Sequence, residues 1–314
     1  MASNDPQVPW SDEQWARVTQ AVQKEAARSR VAASFLPLVG PLPPDTDFIK
    51  GGELTYRPPS TTPETDPPES QVMGVDDRNV VILASLQVRV QLRGAQVADP
   101  ELSSAFELFR RAANVLARLE DAIVFRGQRG VDLGPPSDAI IGLPAIWKVT
   151  SGSKNDGLYG WATAAPKKLL KRVPAANPGR QLVQDVSTRI GELEHRGHYG
   201  PFAVVLGETL FGDVQDPTDN LVLPSDRVIP FLGGGPLLRS STLPDDKGII
   251  LALGAAPFEL VIATDVSVGF LQVTTDPVYI FRVHEKIALR VKEPGAIALL
   301  ERLPPVPKPA KPNH

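Results

Sequence analysis

NVVILASLQVRVQLR, residues 79–93, is the stretch on which the fold turns. Leu86, Val88, Val90 and Leu92 alternate with Gln87, Arg89, Gln91 and Arg93. That period of two puts apolar side chains on one face of a strand and polar ones on the other. The next stretch changes period. From Asp99 or Pro100 onward, Leu102, Phe106, Phe109, Ala113, Leu116, Leu119 and Ile123 recur at steps of three and four, with Arg110, Arg111, Arg118 and Glu120 between them. The spacing predicts a long spine helix ending before Gly127.

Upstream, Ser11-Asp12-Glu13-Gln14 has the form of a capping box, with Trp10 and Trp15 at the two staple positions around it. In the helix that starts there, Trp15, Val18, Val22 and Ala26 share one narrow face, and Arg17, Gln20, Lys24 and Arg28 occupy the opposite one. The expectation is a helix lying on a surface and leaning on something beyond its own body. Glu53 to Tyr56 and the 79–93 strand are expected to pair as a long hairpin arm flanking the proline-rich stretch from Arg57 to Ser70. Two strands alone bury too little to be stable, so the arm needs a partner, expected on an adjoining copy.

Proline, at 32 residues, clusters at Pro41, Pro43 and Pro44, at Pro58, Pro59, Pro63, Pro67 and Pro68, and at Pro304, Pro305, Pro307, Pro309 and Pro312. Each cluster removes backbone donors and forbids regular helix, which marks extended connectors or arms. Further along, Gln181 to Glu194 reads as helix, Phe202 to Leu206 as a short strand and Asp213 to Asn220 as an acidic, turn-rich loop. Five short strands follow: Ile249 to Leu253, Phe258 to Ala263, Val268 to Val273, Val278 to Val283 and Ile287 to Val291. Helices and antiparallel strands are segregated, so the class is α+β.

Chemistry is sparse. The absence of cysteine excludes disulfides, thiolate nucleophiles and cysteine-ligated metal. A net charge of -3 leaves no overall nucleic-acid footprint. Lys167, Lys168, Lys171 and Arg172 form the one basic cluster, which reads as a solvated helix face. Residues 1–13 hold Asp5, Asp12 and Glu13 and no apolar run, so neither a signal peptide nor a membrane span is expected, and the expected location is cytoplasmic.

His195 and His198 have a spacing that could ligate metal, but Gly197 is expected to end the helix between them and no third ligand is evident. His284 and Glu285 are strand neighbours facing opposite ways. Gly233-Gly234-Gly235 lacks the Lys-Ser/Thr of a phosphate loop and reads as a turn, as do Asp76-Asp77 and Asp245-Asp246. No catalytic residue and no metal site is expected.

Five blocks carry a resemblance: FLPLVGP at 35–41, LEDAIVFRG at 119–127, HYGPFAVVL at 198–206, DVSVGF at 265–270 and IALRVKEPGAIAL at 287–299. In order, and spanning Trp10 to about Glu301, they resemble the encapsulin shell proteins (family 1 type, linocin-like). The resemblance implies an HK97 phage major-capsid-like fold. It assigns residues 1–44 to an amino-terminal helix and arm, 45–93 to an extended loop, 94–194 and 263–301 to a peripheral domain, 195–262 to an axial domain and 302–314 to a proline-rich tail.

It further implies that copies self-assemble into an icosahedral nanocompartment enclosing cargo enzymes, peroxidase or ferritin-like, recruited by a short targeting peptide. Carried over block by block, Val31, Phe35, Leu38, Asp265 and Val266 become the cargo groove; their other reading is ordinary core. Asp213, Gln215, Asp216, Asp219 and Asn220 become the five-fold pore lining, where aspartates would favour cations; their other reading is turn-formers.

Two departures stand out. Members usually carry an aspartate where this chain has Pro37, and Met73 occupies the neighbourhood of a flavin-stacking tryptophan. Methionine supplies no ring face, so no flavin, and no other cofactor, is expected. Two rivals remain: a viral or prophage major capsid protein enclosing DNA, and a compact hydrolase with a pocket around His195 or His284.

Overall fold

The computed structural model describes residues 8–56, 73–131, 146–165, 177–217 and 221–302. The chain divides into two compact units, one of residues 1–157 and 256–294, the other of 158–255 and 295–314. The basic cluster at 167–172 and the proline-rich stretches at 57–70 and 304–312 lie outside the described residues.

In the first unit a five-stranded sheet runs in the order β1 (Leu38–Val39), β11 (Phe258–Val273), β12 (Val278–Val291), β6 (Ala84–Arg93), β7 (Trp147–Ser151). The alternation in β6 is obeyed: Leu86, Val88, Val90 and Leu92 are buried, while Arg89, Gln91 and Arg93 are exposed. The paired segments 258–263 and 268–273 are one sixteen-residue strand, as are 278–283 and 287–291 in fourteen residues. Register shifts between Ile262 and Thr264, Thr264 and Ser267, and Phe270 and Gln272 break the sequence period without ending β11. In β12 the polar run His284-Glu285-Lys286 resembles a strand end, but its members are partnered: Glu285 meets Arg30 at 2.6 Å and Lys286 meets Asp47 at 2.7 Å.

α1 (Asp12–Ser29) starts in the expected capping box, with the Gln14 amide N–H donating to Ser11 Oγ at 3.2 Å and the Ser11 N–H donating to Gln14 Oε1 at 3.0 Å. Its apolar face is not waiting for another molecule. Trp15, Val18, Val22 and Ala26 are buried within the same unit, against α3 (Ser103–Val131) and β11, which corrects the expectation of an outside partner. Trp10 is seated in an aromatic cluster: its ring stacks 5.0 Å from Phe281 and meets Trp15 edge-on at 5.0 Å, and its Nε1 donates to Val97 O of α2 (Gly94–Val97) at 2.9 Å.

The spine helix begins at Ser103 rather than Asp99. The Asp99 carboxylate accepts from the Glu101 and Ser103 amides, both at 3.0 Å, so the aspartate caps the helix instead of entering it. At the other end Gly127 is turned to φ +77, where a Cβ would sit 2.1 Å from Asn155 O; the helical path breaks at the expected glycine and resumes to Val131.

Two short ribbons complete this unit. β2 (Phe48–Lys50) pairs with β5 (Val80–Ile82), and β3 (Glu53–Tyr56) with β4 (Met73–Asp76). The arm therefore exists, with a different pairing: Glu53–Tyr56 opposes 73–76, and the 79–93 stretch divides at Leu83 into β5 and β6. The inward side chains Ile49 and Val81 pack on Leu83, Ala263 and Ala288. The outward ones, Phe48, Met73, Val75, Val80 and Ile82, stand in solvent, Phe48 with 63% of its surface exposed.

The second unit holds a four-stranded sheet in the order β13 (Ile297–Glu301), β10 (Lys247–Ala252), β8 (Phe202–Leu206), β9 (Leu237–Arg239). β8 is buried along its whole length between an antiparallel and a parallel neighbour. Around it lie α4 (Gly157–Ala164), which the sequence reading did not anticipate, α5 (Pro178–His195), α6 (Glu208–Gln215) and α7 (Pro224–Val228). α6 corrects the loop expected from Asp213: Leu210 and Val214 are buried four apart, and Asp213 and Gln215 belong to the helix. Asp213 accepts from Arg302 Nε at 2.7 Å and Nη2 at 2.8 Å.

Candidate functional site

Four elements of the first unit converge where α1 ends. Arg30 caps the helix with its own N–H donated to Ala26 O, and its guanidinium turns inward. It lies 2.7 Å from Glu120 Oε2 of α3, 2.6 Å from Glu285 Oε2 of β12 and 3.4 Å from Asp265 Oδ1 of β11. Asp121, next along α3, accepts the Val31 amide at 3.1 Å and the Ala32 amide at 2.7 Å, which fixes the 3-10 turn Ala32–Ser34. From that turn Phe35 stacks on Phe125 at 6.4 Å, Leu36 is buried, and β1 pairs in parallel with Leu260 and Val261.

Burial sets the electrostatics. Glu120, Asp121 and Glu285 are 0%, 3% and 0% exposed. Desolvation, with the Glu285 charge second, pushes Glu120 well above the carboxylate range. Desolvation likewise raises Glu285 to about 7 against the pull of Arg30, and Asp121 to about 7 against its two amide hydrogen bonds. Arg30 keeps its charge because the Glu285 and Glu120 carboxylates outweigh the desolvation of its guanidinium.

Of the groove residues expected from the sequence, Val31 and Phe35 are half-buried, and Leu38 and Asp265 are exposed. Arg30 ties the Val31 segment to Asp265. Val266 differs: its side chain is 1% exposed and belongs to the core, while its N–H donates to Asp265 Oδ1 at 2.7 Å. From sequence, Glu120 stood among the polar positions of the spine helix, which its full burial corrects, Glu285 was weighed only beside His284, and Arg30 and Asp121 were assigned no role; the signal was charge at helix positions flanked by buried ones and at a strand position of core parity.

Of the pore residues, Gln215 and Asp216 are exposed, Asp213 is engaged by Arg302, and Asp219 and Asn220 lie outside the described residues.

Among the described residues the histidines are not brought together. His195 ends α5, and Gly197 at φ +86 turns the chain away before His198. His284 Nε2 is 3.4 Å from Ser267 Oγ across β11 and β12, a long contact with Glu285 on the other face of the strand. Burial and the Arg282 charge hold that imidazole down at about 4. Among the described residues no group of three metal-ligating side chains forms, and no helix is long and apolar enough to cross a membrane.

Comparison with known proteins falls in with this geometry. Residues 148–288 match the family described as encapsulating protein for peroxidase. A type 1 encapsulin shell protein of Myxococcus xanthus is 22% identical over 296 residues, covering 93% of this chain and 94% of that relative. A diheme-cytochrome-encapsulin shell fusion protein of Kuenenia stuttgartiensis is 24% identical, covering 92% of this chain and 73% of that one.

Among solved structures, the virus-like particle from Pyrococcus furiosus superposes with a TM-score of 0.63 at 14% identity, over 92% of this chain and all of that one. The capsid of Myoviridae phage XM1 follows at 0.58 and 14%, over 85% and 90%. These relatives are named as shells and capsids, not as enzymes. The chain has an α+β fold of HK97 capsid type and is similar, along nearly its full length, to encapsulin shell proteins.

Proposed function

We propose that this chain is the subunit of an icosahedral compartment in the cytoplasm, self-assembled from many copies and enclosing a cargo enzyme of the peroxidase or ferritin-like kind. The observation that carries this reading is the pair of ribbons. Five large apolar side chains point outward from two-stranded elements too small to be stable alone; Leu38, Leu108, Ile146, Leu271 and Val273 are the other large apolar side chains exposed among the unit's described residues. A neighbouring copy laid over them would cover that surface, and heterologous contacts of this sort close into rings and shells when the rotation closes.

The relatives support enclosure. The matched family is described as encapsulating a peroxidase, and one relative is itself fused to a diheme cytochrome. In this reading residues 45–93 act as the extended loop, 94–194 and 263–301 as the peripheral domain and 195–262 as the axial domain. Val31, Phe35, Leu38 and Asp265 receive a short cargo peptide, three apolar contacts beside one carboxylate. Gln215 and Asp216 face the five-fold pore. Function then resides in enclosure and gating, without flavin or nucleic acid.

The test is expression of the chain alone, followed by size-exclusion chromatography, negative-stain microscopy and nucleic-acid assay. Closed particles free of DNA are expected. A stable monomer at micromolar concentration overturns the reading, and particles that form only around DNA favour a viral capsid.

A further inference from the structure

The end of α1 carries a charge imbalance that packing alone does not resolve. The ionisable groups facing this point are Arg30 from the end of α1, Glu120 and Asp121 from α3, Asp265 from β11 and Glu285 from β12. Three of the four carboxylates are buried, against a single guanidinium, so full ionisation leaves -3 + 1 = -2 enclosed in the protein. Like charges in a low-dielectric interior repel strongly, and an interior group relieves this by keeping a proton.

The hydrogen-bond pattern says where. Asp121 is solvated by the Val31 and Ala32 amides, whereas Glu120 Oε1 and Glu285 Oε1 are buried with no donor to accept from. A proton held between these two carboxyl groups lets one donate to the other and lowers the enclosed charge from -2 to -1, with the Asp121 carboxylate facing its two amide N–H groups.

We propose that the Arg30 cluster is a proton-held latch: a proton shared by Glu120 and Glu285 keeps residues 30–38 fastened to α3 and the sheet, and its loss at alkaline pH releases that connection. The segment is the right one to move. Its attachments are the Asp121 amide contacts, the buried Ala32 and Leu36, the Phe35 stack and a two-residue strand, while α1 on one side and β11 on the other are anchored by broad buried faces. The direction follows from burial. Both glutamates hold protons more tightly in the folded protein than at the ordinary value of 4.5, so the fastening is complete below that pH and is lost as pH rises through about 7.

The latch is independent of what the shell contains. Amide hydrogen exchange on the full-length protein in its native assembly, at about pH 5.5 and about pH 8.5 and corrected for intrinsic rates, reads it directly. Protection of residues 30–38 is expected to fall at least about tenfold at the higher pH, while that of β8 residues 202–206 holds. Glu285→Gln, which keeps the shape and removes the shared-proton pair, should reduce the response to what Asp121 contributes. Equal protection at both pH values, or an unchanged response in Glu285→Gln, overturns the proposal. Should that variant not fold, infrared pH-difference spectra of the unmodified protein with carbon-13-labelled glutamate decide. A buried carboxylic-acid band vanishing near neutral pH is expected, and the absence of such a band refutes the latch.

Discussion

Phe48→Asp is the substitution that most directly separates a subunit of a shell from a self-contained protein. Phe48 faces out of β2, opposite Ile82, with 63% of its surface in solvent. A phenylalanine carries about 150–250 Å² of surface, so ~100–150 Å² is available to a neighbouring copy. At about 25 cal/mol per Å², covering it contributes ~2.5–4 kcal/mol per contact. That corresponds to roughly a hundredfold or more in each pairwise association constant.

Aspartate removes this contribution and adds an ion to be desolvated, and in a closed shell the deficit recurs at every contact. Within the chain little changes, because the inward neighbour Ile49 makes the core contact. Stability of the separate subunit should shift by less than about 0.5 kcal/mol. Size-exclusion chromatography and mass photometry should show dissociated subunits with unchanged far-ultraviolet circular dichroism. Phe48→Leu, which restores most of the apolar area, should assemble at a higher threshold concentration. Particles of Phe48→Asp appearing at the threshold of the unsubstituted protein would refute the reasoning.

Three further outcomes follow from the packing. Trp10→Ala empties the site between Phe281 and Trp15 and removes the Val97 hydrogen bond, so denaturation should report a loss of about 3–5 kcal/mol. Gly127→Ala forces a side chain into the left-handed region against Asn155 O; a loss above about 2 kcal/mol and a visibly lower melting temperature are expected. Arg302→Ala breaks a bidentate but partly exposed pair with Asp213, so the expected loss is at most about 1 kcal/mol, and a larger one measured in denaturant would show that the carboxylate has no access to water once the arginine is gone.

The elements read most securely from sequence are those whose local pattern and tertiary role coincide. The capping box at Ser11, the alternation in β6 and the break at Gly127 each depend on neighbours a few residues away, and each stands in the structure. The misreadings share one cause. At Asp99, at Asp213 and at His284 to Lys286, a polar residue suggested a loop or an element boundary, while in the fold its partner comes from the backbone or from a side chain far along the chain. The Arg30 cluster is the extreme case. The carboxylates that meet Arg30 and the Val31 amide lie 90 to 255 residues further along the chain, and parity could say that Glu285 faces inward but not that an arginine waits there. The groove residues Val31 and Phe35 came from resemblance rather than from periodicity, since a 3-10 turn of three residues has no period to detect.

The stripe of α1 suggested a helix completed by another copy, and the structure completes it at home; this changes how assembly must work. With Trp10, Trp15, Phe109, Phe270 and Phe281 gathered in one chain, folding of the body does not wait for neighbours, and the outward side chains of the ribbons are left over for association. If copies associate as proposed, outward side chains rather than the core contribute the association free energy, and a shell should dissociate into folded subunits. Under conditions that take particles apart without denaturant, the emission of Trp10 and Trp15 should keep its buried character through the loss of scattering. A red shift simultaneous with disassembly would mean that α1 is held by the neighbour after all.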